Sequence, residues 1–184
     1  MNFLVDDMPK ARQVASVPRE HIIFDRELGH GEFGVVMHAF VTGLSNTSGV
    51  VSVAVKMLKE RVSSTVYDEF ISEGQRHRDL NHVNVVRLMG TCLSDPPLLL
   101  FEFMSNGDLC ALLRKCRLSN IELRVEHLLK ITIDVCRGFA YLQQRRFVHR
   151  DLAARNVLVS GTFEAKIGDL GLLFITVVDY RFQE

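Results

Sequence analysis

Several features that would direct this sequence toward particular chemistries are missing. Neither sign of charge is in excess: Lys plus Arg and Asp plus Glu stand at 22 each in 184 residues. A polyanion such as nucleic acid, or an anionic membrane surface, is therefore not the expected partner. The four cysteines, Cys92, Cys110, Cys116 and Cys136, include no C-x-x-C pair, which argues against a zinc knuckle or a redox motif and predicts reduced, packed thiols. No apolar run is long enough for a signal peptide or a membrane span, so the chain as given is expected to be cytoplasmic. No Gly-Lys-Ser/Thr occurs, which removes the P-loop nucleotide enzymes. Internal repeats and low-complexity tracts are absent too.

What remains has the balance of a folded globular protein, 47% hydrophobic and 24% charged, in a length that suits one domain or two small lobes. Residues 1–20 hold Pro9 and Pro18 without sustained periodicity and read as a poorly ordered leader. HIIFDRELG, GVVMHAF and VVSVAVKML then alternate or run apolar with many valines. They predict three strands joined by connections too short for a crossover helix, hence an antiparallel meander. STVYDEFISEGQRHRDL carries a loose helical stripe, and VVRLMGTCL and PLLLFEF add two strands. After SNGDL, Asp108 can cap a short helix running to residue 116. From Glu122 to Leu142 the periodicity is long. Val125, Leu128, Leu129, Thr132, Cys136 and Phe139 share one face while Ile131, Ile133, Val135 and Leu142 spread onto another, so this helix expects cover on most sides. VLV and AKIG follow as short strands. The expected class is α+β: a five-stranded antiparallel lobe followed by an incomplete helical one.

Gly29-x-Gly31-x-x-Gly34-x-Val36 falls in the turn between the first two strands. A dinucleotide-binding glycine motif needs a helix directly after it, whereas GVVMHAF is strand-like. A hairpin whose tip glycines let backbone N–H groups approach phosphate stays open beside an ordinary turn. In Val53-Ala54-Val55-Lys56, alternation puts Lys56 on the face of Ala54, and a cation held in an apolar strand needs an anion. Glu73 on the following helix can supply it.

The pattern His-Arg-Asp-Leu-x-x-x-Asn occurs twice, as HRDLNHVN at 77–84 and HRDLAARN at 149–156. Spacing does not choose between them. Context favours the second, because two short strands and then Asp169-Leu170-Gly171 follow it, bringing a carboxylate, an amide and another carboxylate onto adjoining loops. Asp151 can then accept the proton of an attacking hydroxyl, and Asn156 with Asp169 offers the hard oxygen ligands that magnesium prefers.

In this order the motifs resemble those of the protein kinases, over residues 21–172. Ala153 stands two residues after Asp151, where serine/threonine kinases usually carry lysine, and Arg155 supplies the cation instead. That form is similar to receptor-type tyrosine kinases. The resemblance implies a protein tyrosine kinase using ATP and Mg2+, with tyrosine-bearing proteins as substrates. It implies a small lobe over about 21–103 and the start of a large one over 104–172. Leu28, Gly29, Gly31, Gly34, Val36, Ala54, Lys56 and Glu73 would surround the nucleotide. The backbones of Glu102 and Met104 would meet adenine, and Phe101 would occupy the gatekeeper position. Asn156 and Asp169 would hold the metal, Asp151 would act as base and Arg155 would place the tyrosine hydroxyl. A longer form is expected to place this chain as the intracellular part of a membrane receptor.

The departures from the family are specific. Gly74 follows Glu73 where alanine is common, at a cost of roughly 1 kcal/mol of helix stability. Leu170 replaces the usual phenylalanine. Residues 173–184 read as a divergent tail in place of the activation segment, without Ala-Pro-Glu and the helices beyond it. Several hundred Å² of bare apolar surface on the long helix would forfeit on the order of 10 kcal/mol, so a chain truncated there is expected to lack support for its catalytic groups. LLFITVV would then patch part of that surface. A second reading stays open: a kinase fragment or pseudokinase that binds nucleotide or a partner kinase without turnover.

Overall fold

The computed structural model describes residues 14–44, 49–119 and 122–169. The meander forms as its β-branched patterning dictates: β2 (Ile22–His30), β3 (Gly34–Val41) and β4 (Val51–Leu58) are antiparallel, and β3 and β4 stay in register from Gly34 opposite Leu58 to Val41 opposite Val51. β5 (Leu88–Cys92) and β6 (Leu98–Glu102) complete the five expected strands, with β6 pairing between β5 and β4. Period-2 alternation turns Ala39, Val41, Val53, Val55, Leu98 and Leu100 into one fully buried cluster. On the other face, His38 ties three strands together, its ring nitrogens lying 2.8 Å from Asp25 Oδ2 and 2.6 Å from Ser52 Oγ.

The sheet has a sixth strand that the sequence reading misses. β1 (Ala15–Ser16) pairs in parallel with β5, giving the order β1-β5-β6-β4-β3-β2. The unordered leader expected to reach residue 20 is corrected over 14–20. Ala15 and Val17 are buried in the sheet core, and Val17 donates its N–H to the Thr91 carbonyl at 2.9 Å. The signal was weak because two residues carry no periodicity. Gly90 makes the pairing possible, since a Cβ there would fall 2.8 Å from Val17 Cγ2 and 3.2 Å from the Ala15 carbonyl oxygen.

Helix α1 (Ser64–Arg78) is capped by Ser63, whose side chain accepts from the Val66 N–H at 3.3 Å. Its buried stripe is Val66, Phe70, Glu73, Gly74 and His77, and Val66 and Phe70 share a core cluster with Leu88, Leu99 and Phe101 of the sheet. Here Gly74 has a positive role, not only a cost in helix propensity. A Cβ at this position would lie 2.7 Å from Leu99 Cδ2, so the missing side chain lets α1 sit close against β6 and bring Glu73 inward.

The second lobe begins at α2 (Leu109–Leu118), capped as expected by Asp108, which accepts from the Ala111 N–H at 2.8 Å. α3 (Val125–Gln144) starts three residues later than expected and packs its Ile131, Gly138 and Leu142 side toward a two-stranded hairpin, β7 (Val157–Val159) with β8 (Ala165–Ile167). Asp134 anchors this contact by accepting the Ala165 N–H at 3.1 Å. Cover on most sides of α3 is not what is found: Val125 is 69%, Leu129 57% and Ile133 49% exposed. Among the described residues the hairpin is one-sided and buries only one face. Leu170, Gly171 and the LLFITVV stretch lie outside the described residues. No described helix is long and apolar enough to cross a membrane, and all four cysteines are unpaired thiols.

α1 also buries a histidine. Burial, opposed by Glu73 and reinforced by Lys56, lowers the His77 pKa from 6.5 to about 4. The unfolded chain therefore binds this proton where the folded chain does not, so the histidine's contribution is fully present above pH 6.5 and is lost as pH falls toward 4. The loss amounts to about 3 kcal/mol. Denaturant melts across this window should lose stability in the wild type and less in His77→Leu; parallel pH profiles would refute the assignment. In a second test, Gly74→Ala should destabilise the fold by about 1–3 kcal/mol despite alanine's better helix propensity, and a stabilised variant would show that the α1–β6 approach is not tight.

Candidate active site

Elements of both lobes meet at one cavity between them. Strand alternation sends Val36 of β3 and both Ala54 and Lys56 of β4 to the same side of the sheet, where Leu28 of β2 joins them. The turn of α1 brings Glu73, the connection after β6 brings Met104, and the far wall carries Arg155, Asn156 and Asp169. Of the residues expected to surround a nucleotide, Leu28, Val36, Ala54, Lys56, Glu73, Glu102 and Met104 therefore do line a common space. Gly29, Gly31 and Gly34 do not. They sit in the β2–β3 hairpin, where the Gly31 N–H meets the Gly34 carbonyl at 2.9 Å and Lys59 Nζ reaches the Gly31 carbonyl at 2.6 Å.

The centre of the site is electrostatic. Lys56 Nζ donates to both carboxylate oxygens of Glu73 at 2.7 Å and lies 3.5 Å from Asp169 Oδ1. Burial works against the charged ammonium, but the two carboxylates outweigh it and hold the Lys56 pKa above its ordinary value. At Asp169 burial pushes the carboxyl upward, Lys56 pulls it back and Glu73 adds to the rise, so its pKa stands above the usual carboxylate range. A site with one cation and two carboxylates in little water has room for further positive charge.

A second cluster adjoins it. Arg155 Nη2 donates to Asp151 Oδ1 at 2.6 Å, while Asn156 Nδ2 donates to Asp151 Oδ2 at 2.9 Å and to the Asp151 carbonyl at 2.7 Å. Each carboxylate oxygen keeps a second lone pair. The amide nitrogen of Asn156 is committed to Asp151, which leaves its Oδ1 as the metal-competent atom. Asn156 and Asp169 thus offer two hard oxygens, the donor chemistry that suits magnesium completed by water and phosphate.

His149 joins the two loops. Its Nε2 donates to the Gly168 carbonyl at 3.0 Å and its Nδ1 accepts from the Asp151 N–H at 3.3 Å, a pairing that fixes the neutral tautomer. Gly168 in turn donates its N–H to the Asn156 carbonyl at 2.8 Å. Arg150 and Asp169 are held at φ of 66° and 51°, left-handed values that non-glycine residues adopt at a cost of about 1 kcal/mol or more. Both acidic loops carry this strain.

Beyond its backbone, Glu102 has a side-chain role that spacing did not disclose. Its Oε1 accepts from the Arg87 N–H at 2.7 Å and its Oε2 pairs with Lys166 Nζ at 2.6 Å. The sequence reading also missed His77, Val86, Phe103, Leu158 and Gly168 as cavity walls. For Leu158 a signal existed, since it alternates with the buried Val157 and Val159 of β7. The first HRDL copy is divided between the end of α1 and the loop after it. Asp79 caps that helix, and Asn84 Nδ2 donates to the Ala165 carbonyl at 3.0 Å, so this copy assembles no acid–amide pair.

Comparison with known proteins agrees with the geometry. A family model described as protein tyrosine and serine/threonine kinase matches residues 22–181. The chain is 37% identical over 183 residues to the rat proto-oncogene tyrosine-protein kinase ROS, covering 92% of this chain and 8% of that protein. It is 37% identical over 172 residues to the human cytoplasmic tyrosine-protein kinase BMX, covering 93% and 24%. With the Xenopus laevis insulin-like growth factor 1 receptor it shares 36% over 163 residues, covering 85% and 12%. The chain thus spans less than half the length of the curated relatives it matches. Its motifs, fold and relatives agree that it belongs to the protein tyrosine and serine/threonine kinase family.

Proposed function

We propose that this chain is the catalytic part of a receptor-type protein tyrosine kinase, transferring the γ-phosphoryl group of ATP to a tyrosine hydroxyl. The observation that carries the reading is the convergence on Lys56: one ammonium meets Glu73 at 2.7 Å and Asp169 at 3.5 Å in the cavity that Asn156 also lines. Adenine would lie among Leu28, Val36, Ala54 and Leu158, apolar walls suited to a flat ring. The Met104 carbonyl already accepts from Gly107 and the Glu102 N–H already donates to Arg87. The adenine contacts therefore fall to the Met104 N–H and the Glu102 carbonyl.

Lys56, held by Glu73, would meet the α- and β-phosphates. The hairpin glycines, bare of side chains, would let backbone N–H groups close over them. Asn156 Oδ1 and Asp169 would hold magnesium, whose positive charge would offset the negative charge of the phosphates. Asp151 would take the proton of the incoming tyrosine hydroxyl through a lone pair not used by Arg155 or Asn156, and Arg155 would position that hydroxyl. Protein substrates bearing tyrosine follow from this chemistry.

Magnesium-dependent phosphate transfer to a tyrosine-containing polymer tests the reading. Asp151→Asn should lower it by about 10²-fold or more while leaving nucleotide affinity nearly unchanged. Equal signal from the two proteins would leave nucleotide binding without turnover. Phe101, buried opposite Ala54, walls the inner end of the same cavity. Phe101→Ala should therefore bind ATP-site ligands with a bulky aryl extension about 10-fold or more tighter by calorimetry, and tight binding of such a ligand to the wild type would contradict the closed wall.

A further inference from the structure

A second cluster of titratable and nucleophilic side chains lies apart from the cavity between the lobes. Asp25, His38 and Ser52 come from β2, β3 and β4. By period-2 alternation His38 and Ser52 share the sheet face of Val36 and Ala54, with His38 opposite Ala54 and Ser52 opposite Phe40. His38 Nδ1 lies 2.8 Å from Asp25 Oδ2, and its Nε2 lies 2.6 Å from Ser52 Oγ. An irregularity in β2 brings the acid there. Between the pairs Phe24 with Ala39 and Glu27 with Met37, two residues, Asp25 and Arg26, face His38 alone, and a bulge of this kind re-aims a side chain. Two rings hold the buried imidazole: Phe40 meets it edge-on with centroids 4.9 Å apart, and Phe103 lies tilted against it at 4.4 Å.

The placement of protons follows from donors and acceptors. A carboxylate only accepts, so beside Asp25 the neutral ring carries its hydrogen on Nδ1 and presents a lone pair at Nε2. Ser52 then donates its O–H to Nε2. A carboxylate orienting an imidazole, whose other nitrogen takes the proton of a hydroxyl, is the order of parts that activates a serine. Ser52 is only half-buried, so a reactant can reach its oxygen. Beside it, the row Ile23, Phe40 and Ser52 crosses the three strands. Ile23 is 66% and Phe40 39% exposed, an apolar lip suited to a short hydrocarbon chain. A positioned base contributes about 10²–10⁴-fold, which is useful where the leaving group is already good, as in an aryl ester, and too little for an amide.

We propose that Ser52 is an acyl-accepting nucleophile for aryl esters of short apolar acids. Its Oγ bonds to the carbonyl carbon as the ester C–O bond breaks. The hydroxyl proton passes to His38 Nε2 and on to the departing phenolate, leaving O-acyl-Ser52 and a phenol. This activity goes beyond the phosphoryl-transfer reading and does not rest on it. The full chain mixed with p-nitrophenyl butyrate should release p-nitrophenol about 10-fold or more faster than Ser52→Ala does, and mass spectrometry should find the butyryl group on the peptide that holds Ser52. Asp25→Asn keeps the hydroxyl and the base but no longer fixes the ring tautomer. It should slow release about 10-fold or more with an unchanged circular dichroism spectrum, whereas a mere tie between strands would not move this rate. Equal release from wild type and Ser52→Ala, butyryl on lysines and not on Ser52, or an unslowed Asp25→Asn would each overturn the proposal. The peptide map needs only the wild-type chain, so it decides the matter even if a variant fails to fold.

Discussion

The structure depends on a buried ion pair. Lys56 and Glu73 arrive from different elements, a strand of the sheet and the helix beside it, and neither charge is stable in that interior alone. Their pairing requires α1 to lie close enough for its glutamate to reach across, and that distance is set by apolar packing. Val66 and Phe70 press on Leu88, Leu99 and Phe101, and Gly74 removes the one side chain that would hold the helix away. Asp169 completes the group from the second lobe, so the same ammonium also records how the lobes are set against each other.

The second lobe answers with hydrogen bonds instead of packing. His149, Gly168, Asn156 and Asp151 form a closed chain of short contacts in which each loop orients the other. Strained backbone at Arg150 and Asp169 is tolerated because those contacts over-determine it. The result is two rigid carboxylates on neighbouring loops, one facing the ammonium and one facing Arg155. On the function proposed above, the first would deal with phosphate charge and the second with a hydroxyl proton.

Much of this was legible in the sequence. Alternation in GVVMHAF and VVSVAVKML gave the strands and the shared face of Ala54 and Lys56, because period-2 patterning is a direct record of burial. Asp108 announced its cap. What escaped reading depended on contacts distant in the chain. β1 is two residues long and owes its place to Gly90 and Val17, and Gly74 looked like a defect until Leu99 stood opposite it. Periodicity alone could not tell the exposed face of α3 from a covered one, since it shows that a helix has an apolar stripe and not what lies against it; the expectation of bare surface there came from the departures from the family pattern. His77 belonged to a chance repeat whose letters resemble a catalytic loop, and its isolation became visible only in three dimensions.

β1 has a further consequence for the assembly of the sheet. Without it, β5 would present its outer row of amide and carbonyl groups as a bare margin, the kind of border along which separate chains join into larger aggregates. Ala15 and Ser16 occupy part of that margin. Their place in the order β1-β5-β6-β4-β3-β2 sets this guarded border at the far side of the sheet from β2 and its glycine hairpin.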